Sequence, residues 1–336
     1  MATMASNENR PSPASNPDAS NKDASNPGVP DLHGRTAIVT GATGGIGYET
    51  ARGLARRGAT TILAGRNPDK GAQALAGIQQ TTPAARVRFE HLDLASLTSV
   101  ARFADAVTAA QGGVIDILVN NAGVMGSPTR LLTRDGFEQQ IGVNYLAHFA
   151  LTARLQDALS AAPGGGRVVS VASLAHRRAA IAWEDLQSER SYRPMRAYGQ
   201  SKLAMLIFAL ELQRRAEQNH WNLRSIAAHP GWARTDIISS GIGGGAPGLK
   251  ATLIGQVFAL VAQSAEDGAQ PSLYAATAPL AEGGAYYGPT RWGGTRGAPG
   301  LSRIFPQAAD PAAGTRLWAL SEKLTGVTFG PPQPAH

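Results

Sequence analysis

The chain contains 336 residues, with a formal net charge of +7 and no cysteine. The lack of cysteine excludes disulfide bridges, thiolate nucleophiles and cysteine metal sites. The positive charge does not indicate a nucleic-acid partner, because the arginines are spread in ones and twos, with no basic stripe and no interleaved aromatic side chains.

Residues 1–30 repeat Ala-Ser-Asn four times and hold almost no large apolar side chains. This composition predicts a disordered, low-complexity tail, because too little apolar surface can be buried to offset the entropy lost on ordering. The tail lacks the uninterrupted apolar core of a secretory signal, and no later apolar run is long enough to span a bilayer. The sequence predicts a cytoplasmic protein with one domain over residues 31–336.

Strand-like and helical patterns alternate from residue 31 onward. The predicted strands are 36–40, 60–64, 87–92, 115–120, 167–172 and 223–229, and the predicted helices between them are approximately 45–57, 69–80, 96–110, 135–160 and 195–218. Six strands separated by helices are typical of βαβ units with a parallel sheet. The sequence predicts a single α/β domain with a doubly wound parallel sheet of the Rossmann type.

The C-terminal third departs from this alternation. A glycine-rich loop at 241–248 precedes an apolar helical segment at 250–262, and Ser264 then provides an N-cap, followed by acidic residues, for a helix to about residue 277. An apolar excursion after the sixth strand lies at the carboxyl edge of the sheet, where ligands bind in such folds. Residues from about 236 to 300 are predicted to form a substrate lid.

The segment TGATGGIG, residues 40–47, follows the first strand and opens the first helix. Glycines let the backbone approach an anion and turn its N–H groups toward it at a helix N-terminus. The segment alone is weak evidence for a nucleotide, because a glycine-rich turn also serves as a plain tight connection.

Tyr198 and Lys202 are four residues apart on the predicted helix 195–218, so their side chains share one face. An ammonium about 5 Å from a phenolate oxygen stabilises the phenolate by roughly 3 kcal/mol, or about two pKa units, at an effective dielectric constant near 20. The pKa of Tyr198 would then fall from near 10 toward about 8, within the range of acid–base catalysis. Taken alone, an exposed Tyr–Lys pair is the simpler interpretation.

Three further features favour a catalytic pair over an exposed Tyr–Lys pair. Ser173 follows the fifth strand, the small residues NNAG (120–123) end the fourth, and Asn144 places an amide inside an apolar helical stretch. Each is explained by a turn or a cap on its own. Together they favour a catalytic site at the carboxyl edge of the sheet.

This set of segments closely resembles the short-chain dehydrogenase/reductase family from residue 32 to about residue 329. The glycine pattern also fits sugar-nucleotide epimerases and dehydratases, but NNAG and HPGWARTD (229–236) favour the oxidoreductase branch. Segments such as VASLAH, AYGQSKLAMLIFALEL and GGAYYGP are similar to the retinol-dehydrogenase-like members. The matching residues are TGATGGIG, LDL (92–94), NNAG, Asn144, Ser173, Tyr198, Lys202 and HPGWARTD.

The resemblance implies a division of labour. Tyr198 would exchange a proton with the carbonyl or alcohol oxygen, and Lys202 would lower the pKa of Tyr198 and bind the nicotinamide ribose. Ser173 would polarise the carbonyl, and Asn144 would support a water path that replaces the proton.

Strand two ends with Gly65 where an NAD enzyme would place an acidic residue, and Arg66 follows it. An arginine there can pair with a 2′-phosphate, so NADP(H) is preferred over NAD(H), although Gly44 replaces a basic residue or serine common in NADP enzymes.

Asp93 would accept from the adenine amino group, or serve as a simple strand-end cap. No metal is implied. The implied cofactor-binding residues are Gly41, Thr43, Gly45, Ile46, Gly47, Arg66, Asp93, Leu94, Asn121, Ala122, Gly123, Tyr198, Lys202, Pro230, Gly231 and Thr235.

The sequence thus predicts an NADP(H)-dependent carbonyl reductase or alcohol dehydrogenase for a small, fairly lipophilic molecule. Its pocket would be shaped by Met125, Leu174, His176, Trp232 and the apolar lid helix, although packing or surface roles are the simpler interpretation for His176 and Trp232. Alternatives are an NAD-dependent alcohol dehydrogenase of the same family and a non-catalytic NADP-sensing scaffold, which would not need Tyr198 together with the other catalytic side chains. By family analogy, helices 135–160 and 195–218 would pair subunits in a homodimer or homotetramer.

Overall fold

In the computed structural model, which describes residues 30–232 and 263–330, eight strands form one sheet. The strands are β1 (Thr36–Thr40), β2 (Thr60–Gly65), β3 (Val87–His91), β4 (Ile117–Asn120), β5 (Gly166–Val171), β6 (Leu223–Ala228), β7 (Tyr286–Arg291) and β8 (Arg296–Leu301). Their order is β3-β2-β1-β4-β5-β6-β7-β8, and all pairings are parallel except that of β7 with β8. The central strands are apolar and buried on both faces, as parallel strands covered by helices must be.

Helices cover both faces of the sheet. They are α1 (Gly45–Arg56), α2 (Pro68–Thr81), α3 (Leu97–Ala110), α4 (Gln139–Ile141), α5 (Ala147–Arg154), α6 (Gln156–Ser160), α7 (Pro194–Gln218), α8 (Ala265–Thr277), α9 (Pro306–Ala309) and α10 (Pro311–Thr325). Side-chain caps fix several starts, because Asn67, Ser96 and Ser264 each accept a bond from the backbone N–H three residues later.

The alternation of side chains along each strand divides the apolar core in two. Ile38 of β1 packs with the layer of α3, α5, α7 and α10, whereas Ala37 and Val39 pack with α1, α2 and α8. The sheet therefore lies between two helical layers. The loops at its carboxyl edge are not part of these layers and can form a binding site.

The predicted doubly wound α/β sheet in one domain is confirmed. The structure adds β7 and β8, which the sequence did not predict because their glycines and prolines disfavour strands. Such residues are tolerated toward a sheet edge, and β8 is the edge strand here.

The C-terminal boundary of the predicted lid needs correction. Residues 265–277 form α8, which packs on α1, and residues 286–301 pair into the sheet as β7 and β8. The first part of the predicted lid, 236–262, lies outside the described residues together with its helix 250–262, and so does the predicted tail over residues 1–29.

The predicted continuous helix 135–160 is wrong in its start and its regularity. Helical structure begins at Gln139, because the carboxylate of Glu138 caps the N–H groups of Gln140 and Ile141. A π-helical turn, Gly142–Leu146, then joins α4 to α5, and Leu155 separates α5 from α6. Asp135 instead accepts a bond from the backbone N–H of Leu97 at the start of α3.

Across residues 30–232 and 263–330, no helix combines the length and apolar character needed to cross a membrane.

Candidate active site

The strand order reverses between β1 and β4, and the loops that follow these two strands pack directly on each other. A Cβ at Gly41 would lie 2.9 Å from the Cα of Ala122, and Gly41 has a φ of +66°. A Cβ at Gly47 would overlap the carbonyl oxygen of Gly41 and lie 2.5 Å from Asn121 Nδ2. Any larger residue at either position would push the two loops apart, so glycine is required at both. The segment 40–47 (the glycine loop) and the segment 120–123 (the NNAG loop) therefore form one continuous surface.

The N-terminus of α1 is built to receive an anion. Gly44, its N-cap residue, provides no side-chain hydrogen bond, and the first turn contains no acidic residue. The Cβ position of Gly45 faces open space, with nothing within 4 Å. Backbone N–H groups at the positive end of a helix bind phosphate in such a setting. The glycine loop therefore fits the diphosphate of a dinucleotide.

Tyr198 and Lys202 lie one turn apart on α7 and are almost completely buried, with exposed fractions of 8% and 3%. Lys202 Nζ donates a 2.9 Å hydrogen bond to the carbonyl oxygen of Val171, at the end of β5. This bond uses one of the three N–H donors of the ammonium. Burial lowers the pKa of Lys202 to about 8.

Ser173 follows β5 and faces Tyr198. Burial raises the pKa of the Tyr198 phenol, and a side-chain hydrogen bond from Ser173 lowers it in part. The predicted fall of this pKa toward about 8 is wrong, because desolvation of the buried phenol outweighs the hydrogen bond from Ser173. Tyr198 is therefore a protonated donor at neutral pH.

Asn144 lies in the π-helical turn and is completely buried. Its Oδ1 accepts from the backbone N–H of Val124 at 2.7 Å, and its Nδ2 donates to Val124 O and to Ser201 Oγ, both at 2.9 Å. Ser201 lies between Tyr198 and Lys202 on α7, so the amide ties the NNAG loop to the helix that carries both. π-Helical turns occur frequently at functional sites.

Gly123, the last residue of NNAG, marks the point where these groups meet. A Cβ at this position would lie 3.2 Å from Asn144 Oδ1 and 3.4 Å from Lys202 Nζ. The NNAG loop, the π-helical turn and α7 therefore bring Gly123, Asn144 and Lys202 together at the carboxyl edge of the sheet.

A family model described as "short chain dehydrogenase" matches residues 35–241. The chain belongs to the short-chain dehydrogenase family. The match covers the glycine loop, the NNAG loop, the π-helical turn and α7, and the protein is accordingly an oxidoreductase with the fold of this family.

Two curated relatives support a similarity to retinol-dehydrogenase-like members of the short-chain dehydrogenase family. Human retinol dehydrogenase 13 is 42% identical over 305 residues, covering 90% of this chain and 87% of the relative. Human polyprenol dehydrogenase is 41% identical over 265 residues, covering 78% of each protein.

Solved structures of similar chains share the fold. A structure from Mycobacterium paratuberculosis has 40% sequence identity and a TM-score of 0.73, with 90% of this chain and 97% of that chain covered. A short chain dehydrogenase from Burkholderia cenocepacia, solved in complex with NADP, has 28% identity and a TM-score of 0.56, with 74% and 93% covered.

The other predicted cofactor residues of this short-chain dehydrogenase line the same edge. Arg66 is exposed at the end of β2, and Ile46 and Leu94 are buried beside the loops. Asp93 Oδ1 accepts from the N–H of Ala95 at 3.0 Å, as a strand-end cap does, and a contact with adenine stays a prediction. Thr43, Pro230 and Gly231 lie in loops that follow β1 and β6, whereas Thr235 lies outside the described residues.

The predicted pocket residues divide into two groups. Met125 and Leu174 are half-buried near the site, and Trp232 is 44% exposed. His176 is completely buried against the rings of Tyr286 and Phe305, and its Nδ1 lies 2.6 Å from the carbonyl oxygen of Ser173. His176 therefore packs behind the Ser173 loop.

Sequence reasoning missed two polar residues that join the site, Thr40 and His148. The Oγ1 of Thr40 accepts from the backbone N–H groups of Asn121 and Ala122, both at 2.9 Å, and lies 2.9 Å from His148 Nε2. The signal for His148 was present, because it is a polar residue in the same apolar helical stretch as Asn144, one turn later.

Proposed function

We propose that the protein is an NADP(H)-dependent oxidoreductase that interconverts a ketone or aldehyde with an alcohol on a small, fairly lipophilic substrate. The observation that carries the proposal is the position of Lys202 and Asn144 beside Gly123, with Tyr198 one turn before Lys202 on α7 and Ser173 facing its phenol. The relatives named retinol dehydrogenase 13 and polyprenol dehydrogenase support an alcohol as substrate or product.

The side chains of this site perform the proton chemistry. Ser173 donates to the substrate oxygen and holds it near the phenol. Tyr198, protonated because burial raises its pKa, gives its proton to that oxygen in the direction of reduction and takes it back in oxidation. Asn144 keeps the NNAG loop and α7 in register, so that the donors retain their positions during turnover.

The residues around the crevice fit a nicotinamide dinucleotide. The glycine loop offers free N–H groups for phosphate, and two N–H donors of Lys202 remain for ribose hydroxyls besides its bond to Val171. Gly123, next to Asn144 Oδ1 and Lys202 Nζ, has no side chain and so leaves room for a flat ring against the backbone. When bound, the cofactor supplies or accepts the hydride.

Two features of the end of β2 support NADP(H) over NAD(H). A Cβ at Gly65 would lie 2.9 Å from Thr43 Cγ2, so an acidic side chain there would require the Thr43 side chain to move. Arg66 is exposed beside it and can pair with a 2′-phosphate through two N–H groups. The relative solved with NADP agrees with this preference. An NAD-dependent alcohol dehydrogenase of the same family is the alternative.

Arg66→Ala is expected to raise the KM for NADPH by about tenfold and to leave the KM for NADH within about twofold, because only NADPH carries the 2′-phosphate that the guanidinium pairs with. Steady-state kinetics with each cofactor measure this. Arg86→Ala, which removes an exposed arginine before β3 rather than after β2, is the matched control. Equal changes for NADPH and NADH in Arg66→Ala would exclude Arg66 as the 2′-phosphate ligand.

Gly47→Ala is expected to weaken NADPH binding by about tenfold, because moving main-chain atoms to accommodate a methyl group costs on the order of 1–3 kcal/mol. Gly53→Ala is the matched control on the same helix, since its Cβ would meet the ends of the Leu273 side chain, which can rotate away. Calorimetric titration with NADPH compares the two variants. Unchanged affinity in Gly47→Ala would show that the cofactor binds elsewhere.

The decisive experiment mixes the purified protein with NADPH and a panel of ketones and aldehydes, and follows the absorbance of the reduced cofactor. Consumption that depends on the carbonyl compound supports the proposal. Tight NADPH binding without consumption for any compound would favour the non-catalytic scaffold instead. The cytoplasmic location and the homodimer or homotetramer stay predictions.

A further inference from the structure

His148 lies on α5 one helical turn after Asn144 and is completely buried. Both ring nitrogens have partners: Nδ1 lies 3.1 Å from the main-chain carbonyl oxygen of Asn144, and Nε2 lies 2.9 Å from Thr40 Oγ1. The imidazole therefore bridges the π-helical turn and the end of β1.

The hydrogen-bond partners allow one arrangement of protons. Asn144 O can only accept, so Nδ1 must carry the hydrogen. Thr40 Oγ1 accepts from the N–H groups of Asn121 and Ala122, and its single hydroxyl hydrogen has two acceptors in reach: Nε2 at 2.9 Å and the carbonyl oxygen of Val119 at 3.4 Å. The bare Nε2 is the nearer of the two. The opposite tautomer would set Nδ1 and the carbonyl oxygen as two acceptors facing each other. Burial lowers the pKa of His148 to about 4, which keeps the ring neutral.

This chain of bonds links the end of β1, the NNAG loop, the π-helical turn and α7. It runs from the NNAG backbone through the Thr40 hydroxyl and the His148 ring to the carbonyl of Asn144, whose side chain in turn holds Val124 and Ser201. Because Nδ1 is bonded to the Asn144 carbonyl and Nε2 to Thr40, loss of the ring would disconnect that carbonyl from the end of β1.

We infer that His148 is a positioning residue, which holds the main-chain carbonyl of Asn144 in register with the NNAG loop through a fixed imidazole tautomer. This inference rests on the proposed oxidoreductase function, because its consequence is the rate of turnover. A histidine that only satisfied the core would affect stability without a separate effect on that rate.

Three substitutions separate the two bonds of the ring. His148→Phe fills the space and removes both bonds. In His148→Asn, the amide N–H lies near the position of Nδ1, so the bond to Asn144 O is retained. In His148→Gln, the longer side chain places its amide near the position of Nε2, so the bond to Thr40 is retained and the bond to Asn144 O is lost. Thr277→Val is the control, because it removes a buried hydroxyl that bonds the carbonyl oxygen of Leu273 on α8 and leaves the NNAG loop and Asn144 untouched.

The experiment measures kcat per folded enzyme and KM, with NADPH and a carbonyl substrate of the wild type, together with the melting temperature. We expect His148→Phe and His148→Gln to lower kcat by about tenfold or more, since small displacements of aligned groups have effects of this size. His148→Asn should recover most of kcat, and Thr277→Val should leave kcat unchanged. Equal kcat in the Asn and Gln variants, or an unchanged kcat in the Phe variant, would overturn the inference.

A second measurement does not depend on turnover or on the folding of variants. Nitrogen NMR of the histidine rings in the wild type should show His148 with a protonated Nδ1 and a bare Nε2, and without titration between pH 8 and about 5. A protonated Nε2 would overturn the inference. Wild-type protein that turns over no carbonyl compound would instead defeat the proposed function, and the ring tautomer would still be measurable.

Discussion

Tyr198→Phe is expected to lower kcat for carbonyl reduction by about 1,000-fold, the middle of the range for a lost general acid. The change removes one oxygen atom from a side chain that is 8% exposed and faces Ser173, so packing is retained while the proton donor is lost. The measurement is the rate of NADPH consumption at saturating carbonyl substrate. The affinity for NADPH, measured by calorimetry, should stay within about twofold because the phosphate-binding surface is untouched.

Tyr192→Phe is the matched control for this result. Tyr192 is a half-buried tyrosine in the loop before α7, and its hydroxyl donates to the carbonyl of Ser127 rather than facing Ser173. The variant loses this bond and the one that the hydroxyl accepts from Gln140 Nε2, and it should change kcat by less than about threefold because both bonds are peripheral. Turnover by Tyr198→Phe at the rate of the wild type would remove the phenol from the mechanism.

Lys202→Met has two opposite effects, a loss of turnover and a gain in stability. Turnover falls by about 100-fold or more, because the ammonium beside Gly123 can no longer position the bound ribose. The folded protein gains stability at pH 7, because burying the charged ammonium costs about 3 kcal/mol, as its lowered pKa implies, while its bond to Val171 O contributes only about 1 kcal/mol.

The same pKa gives the pH dependence of this effect. Lys202 has a pKa of about 8 when folded and 10.5 as a free side chain. Below pH 8 both states hold the proton and the folded state carries the full desolvation cost. Between pH 8 and 10.5 the unfolded state binds more protons, so this cost disappears as pH rises. The stability gain of Lys202→Met over the wild type should therefore shrink toward zero across this window.

Urea denaturation of both proteins at pH 7 and pH 10 measures the difference. Lys323→Met, which removes an exposed lysine in the last turn of α10, should change neither activity nor the pH dependence of stability. A Lys202→Met variant that is less stable than the wild type at pH 7 would mean that the ammonium has stabilising partners in the folded state.

The expected effects of Tyr198→Phe and Lys202→Met have one physical basis, the burial of both polar side chains. The phenol and the ammonium are buried together on α7, although burial opposes the charged form of each. The protein retains a destabilising lysine where its spare N–H donors can meet a ligand. Besides its bond to Val171 O, the Lys202 ammonium has two further N–H donors, and a ligand that accepts from them would offset part of the desolvation cost.

Local sequence patterns predicted the backbone of this site with good accuracy. The glycine loop, NNAG, Ser173 and the Tyr198–Lys202 pair lie at the edge where the alternation of strands and helices predicted them, because parallel strands bring their carboxyl ends together. The helix carrying Asn144 was predicted too long and too regular. The capping carboxylate of Glu138 and the π-helical turn depend on contacts that periodicity does not report.

The sequence by itself determined the doubly wound sheet, the glycine loop and the identity of the four proposed catalytic side chains, because periodicity, turn chemistry and short spacings are local properties. Only the tertiary structure decided the protonation preference of Tyr198, the bonds of His148 to Asn144 and Thr40, and the pairing of β7 and β8 at the end of the sheet. The physical reason is the same in each case. Desolvation, buried hydrogen bonds and edge pairing depend on which distant segments fold against a residue, and no window of the sequence contains that neighbourhood.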